Sequence, residues 1–537
     1  MSRASAITGS RTLAAVEVKQ DRFSIMPWVA VSVLLAVSSF VAFAIIFDDA
    51  AAAQSLQQVI TTNPAFSLVF GKAEDLSTAD GFNVWRSLQL TSTFAGLMAI
   101  FIVTRNSRGN EDSGQAELIA SGVVGRHARL IAAMMVATLA SFGLSVVTLA
   151  AMLLSGGDLT TSVVMALCLM SAGIMFGALG AFTSQLGAFA QTANAFAVTT
   201  LGVFYLLRGV ADATPDAEWA LWWTPLGWIQ KVAPGTENNL WPLLWVLALA
   251  AALLTAALAL ESRRDFAQGV LSPKPGPARA GAVASVWGLA WRLHRGAIIG
   301  WLVALAVLGA VFGAVGSSIL EVFLQEPDLG TLLGASAGGT PAQLVLGFLT
   351  SFLSILAILA GAAGVQVMLR AFTEETQYRT EPLLAGALTR PRLFASHVVI
   401  AFAGTTVALA LSGALLGIAV SAGDAPVKAS DVIKQAVVTL PALWILVAIA
   451  VAVIGARPRV KIAAYVGVIL TFALTIIGPT LNLWDWVLAI SPLYHVPNVL
   501  AEDPNYWPVL WLSLIAAFFT AVGFAGYRRR DVAFQAS

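Results

Sequence analysis

The sequence predicts an all-α integral membrane protein of twelve transmembrane helices, built as two parallel six-helix repeats. Three observations predict it: the composition, a series of long apolar runs, and landmarks written twice at a nearly constant offset. Hydrophobic residues fill 58% of the 537 positions and charged residues 11%, about half the charged share of soluble domains. Such a chain cannot coat a soluble globule with polar surface.

A bilayer crossing takes roughly 20 apolar residues. Twelve runs of this kind fall at 25–47, 86–104, 130–154, 160–183, 188–207, 241–260, 296–318, 343–369, 397–420, 435–455, 462–478 and 508–526. If the N-terminus is placed inside, 24 of the 30 Lys and Arg residues lie in inner segments, and Lys72, Arg86, Arg208, Lys231, Lys428 and Lys434 lie outside. This asymmetry predicts both termini in the cytoplasm and a plasma (inner) membrane protein. The first span follows a polar N-terminal segment and reads as an uncleaved anchor. Cys168, the single cysteine, lies in a span, which excludes an intramolecular disulfide.

The repeat is carried by ordered landmarks. "EDSGQAELIASGVVGR" (111–126) answers "ETQYRTEPLLAGALTR" (375–390), setting Glu111 on Glu375, Glu117 on Glu381, Gly122 on Gly386 and Arg126 on Arg390. "TPLGW" (224–228) answers "SPLYH" (491–495), Trp241-Pro242 answers Trp507-Pro508, and Arg263-Arg264-Asp265 answers Arg529-Arg530-Asp531. Six spans per half is an even number, so both halves enter the membrane in one orientation. The expected division is a first membrane domain at 1–271, a cytoplasmic linker rich in Pro, Gly and Ala at 272–285, and a second membrane domain at 286–537. Before the first span of each half, apolar residues at helical spacing (Leu13, Val16, Phe23; Trp287, Ala290, Trp291, His294) predict a helix lying along the inner leaflet.

Each charged segment, 105–129 and 370–396, falls on the inner side between the second and third spans of its half. The first predicts a short helix in a hairpin loop, with Glu111 and Asp112 near its start and Arg126 and Arg129 near its end. An ordinary solvated loop is the plainer reading. Two equivalent segments suggest instead one partner with two equivalent faces. Arg86 at the edge of one span apart, the span interiors carry no Asp, Glu, Lys or Arg. Proton- or cation-driven carriers need an ionisable group at that depth, so a secondary carrier ranks second. A nucleotide-binding GxxxxGK[ST] loop is also missing, so the motor would have to be borrowed. His127, His294, His397 and His495 are too scattered for a metal site. No HExxH, Ser/His/Asp pattern or basic nucleic-acid patch occurs, which places a membrane enzyme third.

The segment from Arg105 through "EDSGQAELIASG" and the segment "RAFTEETQYRTEPLLAG" (370–386) resemble the coupling segments of ABC-2-type permeases. Nearly the whole chain resembles the fused twelve-span, polyketide-antibiotic (tetronasin-like) exporter permeases of actinobacteria, including the Arg208-Gly-Val-Ala-Asp212 stretch. The second copy departs from the usual order at Gln377-Tyr378-Arg379 and Pro382. The resemblance implies a type V exporter-like fold in which this chain holds no cofactor and has no catalytic or metal site. Two copies of a separate ATPase would bind ATP and Mg. Glu111, Asp112, Glu117, Arg126, Glu374, Glu375, Glu381 and Arg390 are then the coupling residues. The substrate would be an amphipathic or hydrophobic small molecule; a lipid or siderophore is the alternative cargo.

In this fold class the second and fifth spans of each half line the path. That implicates Gln89, Thr91, Thr93, Phe94 and Met98; Asn194, Phe196, Phe204 and Tyr205; Phe348 and Phe352; Tyr465 and Phe472. Most aromatics at helical spacing simply pack, and Gly309/Gly313 and Gly413/Gly417 read as helix-packing positions. The outer segments 208–240 and 479–507 carry Trp219, Trp222, Trp223, Trp228, Trp484, Trp486 and Trp507, which suits an interfacial belt or an outer gate. For the gate, the candidates are Arg208, Asp212, Trp223, Trp228 and Trp486, with Arg208 and Asp212 four apart on one helical face.

Overall fold

The computed structural model describes residues 6–46, 64–120, 122–214, 216–265, 268–271, 281, 285–317, 341–423, 426–477, 483–501 and 503–530. Most of the predicted linker and Asp531 lie outside them. The protein is all-α, with no strand among the described residues. Its contacts divide it into two compact units, Met1–Gly276 and Pro277–Ser537. Among the described residues eleven helices are long and apolar enough to cross a membrane, and a shorter one covers Ala463–Thr475.

The first unit holds α1 (Ser10–Ile46), α2 (Ala79–Thr104), α3 (Ala128–Leu154), α4 (Leu159–Leu186), α5 (Ala190–Ala213) and α6 (Trp241–Glu261). Helix α4 forms the spine of this bundle, flanked by α2, α3, α5 and α6. It is rich in Ala, Gly and Ser, which let neighbouring backbones come close. The second unit holds α7 (Val286–Ser317), α8 (Pro341–Thr376), α9 (Arg390–Ser421), α10 (Ala429–Ala456), α11 (Val466–Phe472) and α12 (Trp507–Arg529). Close approach is explicit between α7 and α9. A Cβ on Gly309 would lie 2.2 Å from the Ser412 carbonyl oxygen, and one on Gly313 2.4 Å from that of Leu416. Gly413 and Gly417 press likewise on Ala436 and on the Ala429 carbonyl of α10.

Two expectations change. The amphipathic leaders are not separate interfacial helices, because each is continuous with its span. Ala14, Glu17 and Asp21 form a buried stripe on α1, and Asp21 is bound by Arg105 at 2.7 Å and by Asn106 at 2.7 Å. The side that meets protein is this stripe, whereas Val16 and Phe23 of the predicted apolar face stay 49% and 66% exposed. The eleventh span is also not one uniform helix. It is a 3₁₀ stretch (Pro458–Tyr465), the two-turn α11 and a π turn (Ala473–Ile477), and Val460 interrupts it with non-helical dihedrals.

Candidate functional site

At one end of the first unit, the helix of α2 continues through a wide π turn (Arg105–Gly109) to Asp112. Glu111 and Asp112 therefore close a long helix, contrary to the sequence expectation that they open a short one. Carboxylates are unfavourable at a helix C-terminus, where the macrodipole is negative. The structure answers with arginines. Glu111, 8% exposed, is met by Arg108 at 2.8 Å, Arg264 at 2.7 Å and Arg129 at 3.3 Å. Arg108 also donates to the Ser184 carbonyl at the end of α4 at 2.8 Å, and Arg264 to Gln185 Oε1 at 2.7 Å. One buried carboxylate thus ties the ends of α2, α4 and α6 to the start of α3. Asp112 accepts from the Ala190 amide at 2.6 Å, capping α5, whose own N-cap residue Phe189 has no side chain able to do so.

The second unit repeats the device with fewer charges. Arg530 forms a two-pronged bridge to Glu375, Nη2 lying 2.7 Å from Oε2, and its Nε donates to the Gly455 carbonyl at the end of α10 at 2.9 Å. Glu374 is buried against Arg379 at 3.1 Å and Arg370 at 3.4 Å. Arg126 donates to the Ser262 carbonyl and Arg390 to the Arg530 carbonyl, so each caps the last helix of its half. Six of the eight charged candidates therefore have partners within their own unit. Glu117 and Glu381 differ: both side chains are exposed, on the short helices Gln115–Ala120 and Glu381–Leu384. Beside Glu117, Leu118 and Val123 are 77% and 81% exposed.

At the opposite, tryptophan-rich end of the first unit, Arg208 is fully buried inside α5. It pairs with Asp212 at 3.1 Å, as the spacing predicted. It also donates to the Leu68 carbonyl at 3.0 Å and the Val69 carbonyl at 2.9 Å, the open end of the short helix Pro64–Phe70. Gly71 follows that helix with φ +97°, and a Cβ there would lie 3.3 Å from Arg208 Nη1. The guanidinium stacks on Tyr205 at 4.8 Å, whose hydroxyl donates to Val69 at 2.6 Å. Gln230 Nε2 donates to Asp212 at 2.8 Å and Gln89 Nε2 to Gln230 Oε1 at 3.2 Å. Arg86, Arg208 and Asp212 all lie within helices of spanning length, so the expectation of charge-free spans does not hold for the helices.

The remaining path candidates scatter. Met98 is wholly buried, and Phe94 packs on Trp28, 6.3 Å between rings. Thr93 returns its hydroxyl to the Gln89 carbonyl, the Thr91 hydroxyl is buried against its own helix, and Asn194 accepts from Thr104. Phe204 packs against the core while Phe196 is 39% exposed. Phe352 stacks on Phe312 and meets Phe348 edge-on. Tyr465 sits in the 3₁₀ stretch, and Phe472 is exposed on α11. Trp223 and Trp486 are exposed at 74% and 67%, and Trp228 Nε1 donates to the Trp222 carbonyl at 2.7 Å. "TPLGW" and "SPLYH" both become short helical turns opened by proline. Sequence reasoning missed two contacts: His127 with Glu261 at 2.6 Å, and the buried pair His294–His397 at 2.8 Å. Separations of 134 and 103 residues left no local signal for either.

Two helical membrane units, each with buried ion pairs at one end and short tryptophan-bearing helices elsewhere, fit a multi-pass membrane permease, the class that the family match gives. The chain belongs to the family described as "Multidrug efflux system permease Rv1217c, C-terminal domain", whose profile matches residues 12–260 and 283–528. It is 34% identical over 542 aligned positions to the multidrug efflux system permease protein Rv1217c of Mycobacterium tuberculosis (strain ATCC 25618 / H37Rv), covering 99% of this chain and 96% of that protein.

Proposed function

We infer that this chain is the membrane subunit of an ATP-driven ABC exporter that carries amphipathic or hydrophobic compounds, drugs and antibiotics among them, out across the plasma membrane. Two copies of a separate ATPase supply the power and hold ATP and Mg. Polyketide antibiotics of the tetronasin type are the narrower cargo that the sequence resemblance adds. The family match and the M. tuberculosis relative's name support efflux. The single observation that carries the ATPase partnership is the division of the repeated charged segments. Their acids at 111, 374 and 375 are sealed inside, while Glu117, beside exposed Leu118 and Val123, and Glu381 stay outside.

An exposed apolar and acidic patch on a braced support is a surface for a protein partner. With the termini in the cytoplasm, that patch faces the nucleotide supply. ATP-driven closure of the ATPase pair would push each short helix. The Glu111–Arg264 and Glu375–Arg530 bridges would pass the push to the last helix of each half. The motor shifts the permease only insofar as it binds its two access states with different affinity.

The test is reconstitution with the partner ATPase. Glu117→Lys with Glu381→Lys should abolish transport-coupled ATP hydrolysis while leaving the folded chain in the membrane, and unchanged transport would remove the coupling role. Uptake driven by a pH step without ATP would make the protein a secondary carrier instead.

A further inference from the structure

Beside the buried arginine of the first unit lies a small cavity of about 40 Å³, lined in part by Gln89, Gln230, Thr236, Glu74, Trp85 and Phe70. At roughly 10–15 Å³ for each water, it has room for about three or four, so it can take the end of a molecule and not a whole drug.

The hydrogen-bonding character of this cavity is one-sided. Gln89 is 2% exposed, and its Nε2 donates to the Leu226 carbonyl at 3.3 Å and to Gln230 Oε1 at 3.2 Å. Two acceptors on one nitrogen fix the amide's orientation. Its Oε1 is then a buried acceptor with no partner among the described residues. Gln230 Nε2 is committed to Asp212 at 2.8 Å. Thr236 Oγ1 gives its proton to Glu74 at 2.9 Å, and Trp85 Nε1 gives its own to the Gly71 carbonyl at 3.0 Å. Lys72, at the rim, is held by Glu218 at 2.6 Å. Each of these side-chain donor groups thus has at least one acceptor, Lys72 keeping its spare N–H groups at the exposed rim, and the group left unmatched inside is the Gln89 acceptor oxygen. A buried acceptor left unmatched is costly, so its natural occupant is a donor.

We propose that this cavity binds the hydrogen-bond-donating end, a hydroxyl or an ammonium group, of an exported amphipathic compound, with Gln89 Oε1 as the acceptor and Trp85 and Phe70 against the adjoining apolar chain. The proposal rests on the exporter reading for its cargo. The second unit has no counterpart at the matching positions: Leu353 and Phe472 lie 264 residues beyond Gln89 and Arg208. Donor recognition therefore belongs to the first half.

The experiment measures equilibrium binding of four twelve-carbon probes to the full chain in lipid nanodiscs, with empty discs subtracted. The probes are dodecanol (donor, neutral), dodecylammonium (donor, charged), dodecyl methyl ether (neither donor nor charge) and dodecyltrimethylammonium (charge without donor). Wild type should prefer both donor probes to their donor-free counterparts by roughly tenfold, the scale of one well-placed hydrogen bond. Gln89→Met, of similar length, should erase that preference and leave the donor-free probes within twofold. Gln89→Glu, which keeps an acceptor in place, should retain dodecylammonium binding and favour it over dodecanol. Equal binding of all four by wild type would mean that the cavity holds water alone. Survival of the preference in Gln89→Met, or equal weakening of all four probes, would also overturn the assignment. Since no ATPase or nucleotide is present, failure here is separate from failure of ATP-driven transport.

Discussion

Glu111 and Glu375 occupy equivalent places in the repeat but have unequal surroundings, and that difference can be measured. Glu375 is bound chiefly by Arg530, which keeps its bond to the Gly455 carbonyl if the carboxylate is lost. Glu111 holds three arginines, with side chains at 0%, 7% and 14% exposure. Removing one partner of a buried ion pair costs about 3–5 kcal/mol. Glu375→Gln should sit near the lower end, about 3 kcal/mol, since one arginine with other acceptors is stranded. Glu111→Gln removes the one carboxylate shared by three arginines; Arg108 and Arg264 keep other acceptors, but the three are left repelling one another, and the loss should reach the upper end, about 5 kcal/mol.

Charge exchange sharpens the contrast. Glu375→Arg with Arg530→Glu restores an opposite pair and should recover about half of the loss, the remainder being the bonds to Gly455 and Ile454. Glu111→Arg with Arg264→Glu places a new cation against Arg108 and Arg129 and should recover nothing. Reversible denaturant unfolding of the purified chain in mixed micelles, run as two double-mutant cycles, reads both quantities. Equal costs at the two positions, or recovery by both exchanges, would refute the view that local cation count decides the strength of the brace.

Three further predictions follow from the same geometry. Arg208→Ala should destabilise the first unit by about 3–5 kcal/mol, far above the roughly 0.3–0.5 of an exposed helical pair, because Asp212 loses its cation and keeps only Gln230 while the carbonyls of Leu68 and Val69 lose the guanidinium. Asp212→Asn should cost less, and the cycle between them should show a coupling energy smaller than the Arg208→Ala cost; strict additivity would dissolve the pair. Gly309→Ala should cost about 1–3 kcal/mol by overpacking α7 on Ser412, whereas Gly300→Ala on the same helix, where a Cβ meets open space, should be neutral or stabilising. Glu117→Lys or Glu381→Lys should change unfolding free energy by no more than about 0.5 kcal/mol, as befits exposed positions, so any loss of coupled hydrolysis reports the partner surface and not the fold.

Several features were legible in the sequence because they are local or periodic. Apolar run length sets which segments cross the bilayer, so the all-α membrane class and eleven of the spans followed from composition alone. The i,i+4 spacing of Arg208 and Asp212 fixed their pairing, since a helix brings those two side chains together whatever surrounds it. Repetition marked Glu111, Glu375, Arg264 and Arg530 as belonging together in kind, though not as contacts. What tertiary structure alone decided is which charges face inward. Glu111 and Glu117 stand six residues apart in one polar segment, yet one is sealed by an arginine 153 residues away and the other is open to solvent. The burial of Glu17 and Asp21 on the leader of α1, the His294–His397 contact and the cavity at Gln89 were decided in the same way. Each depends on helices from distant parts of the chain packing side by side, and a linear sequence records the spacing along one helix but not the identity of the neighbour that covers it.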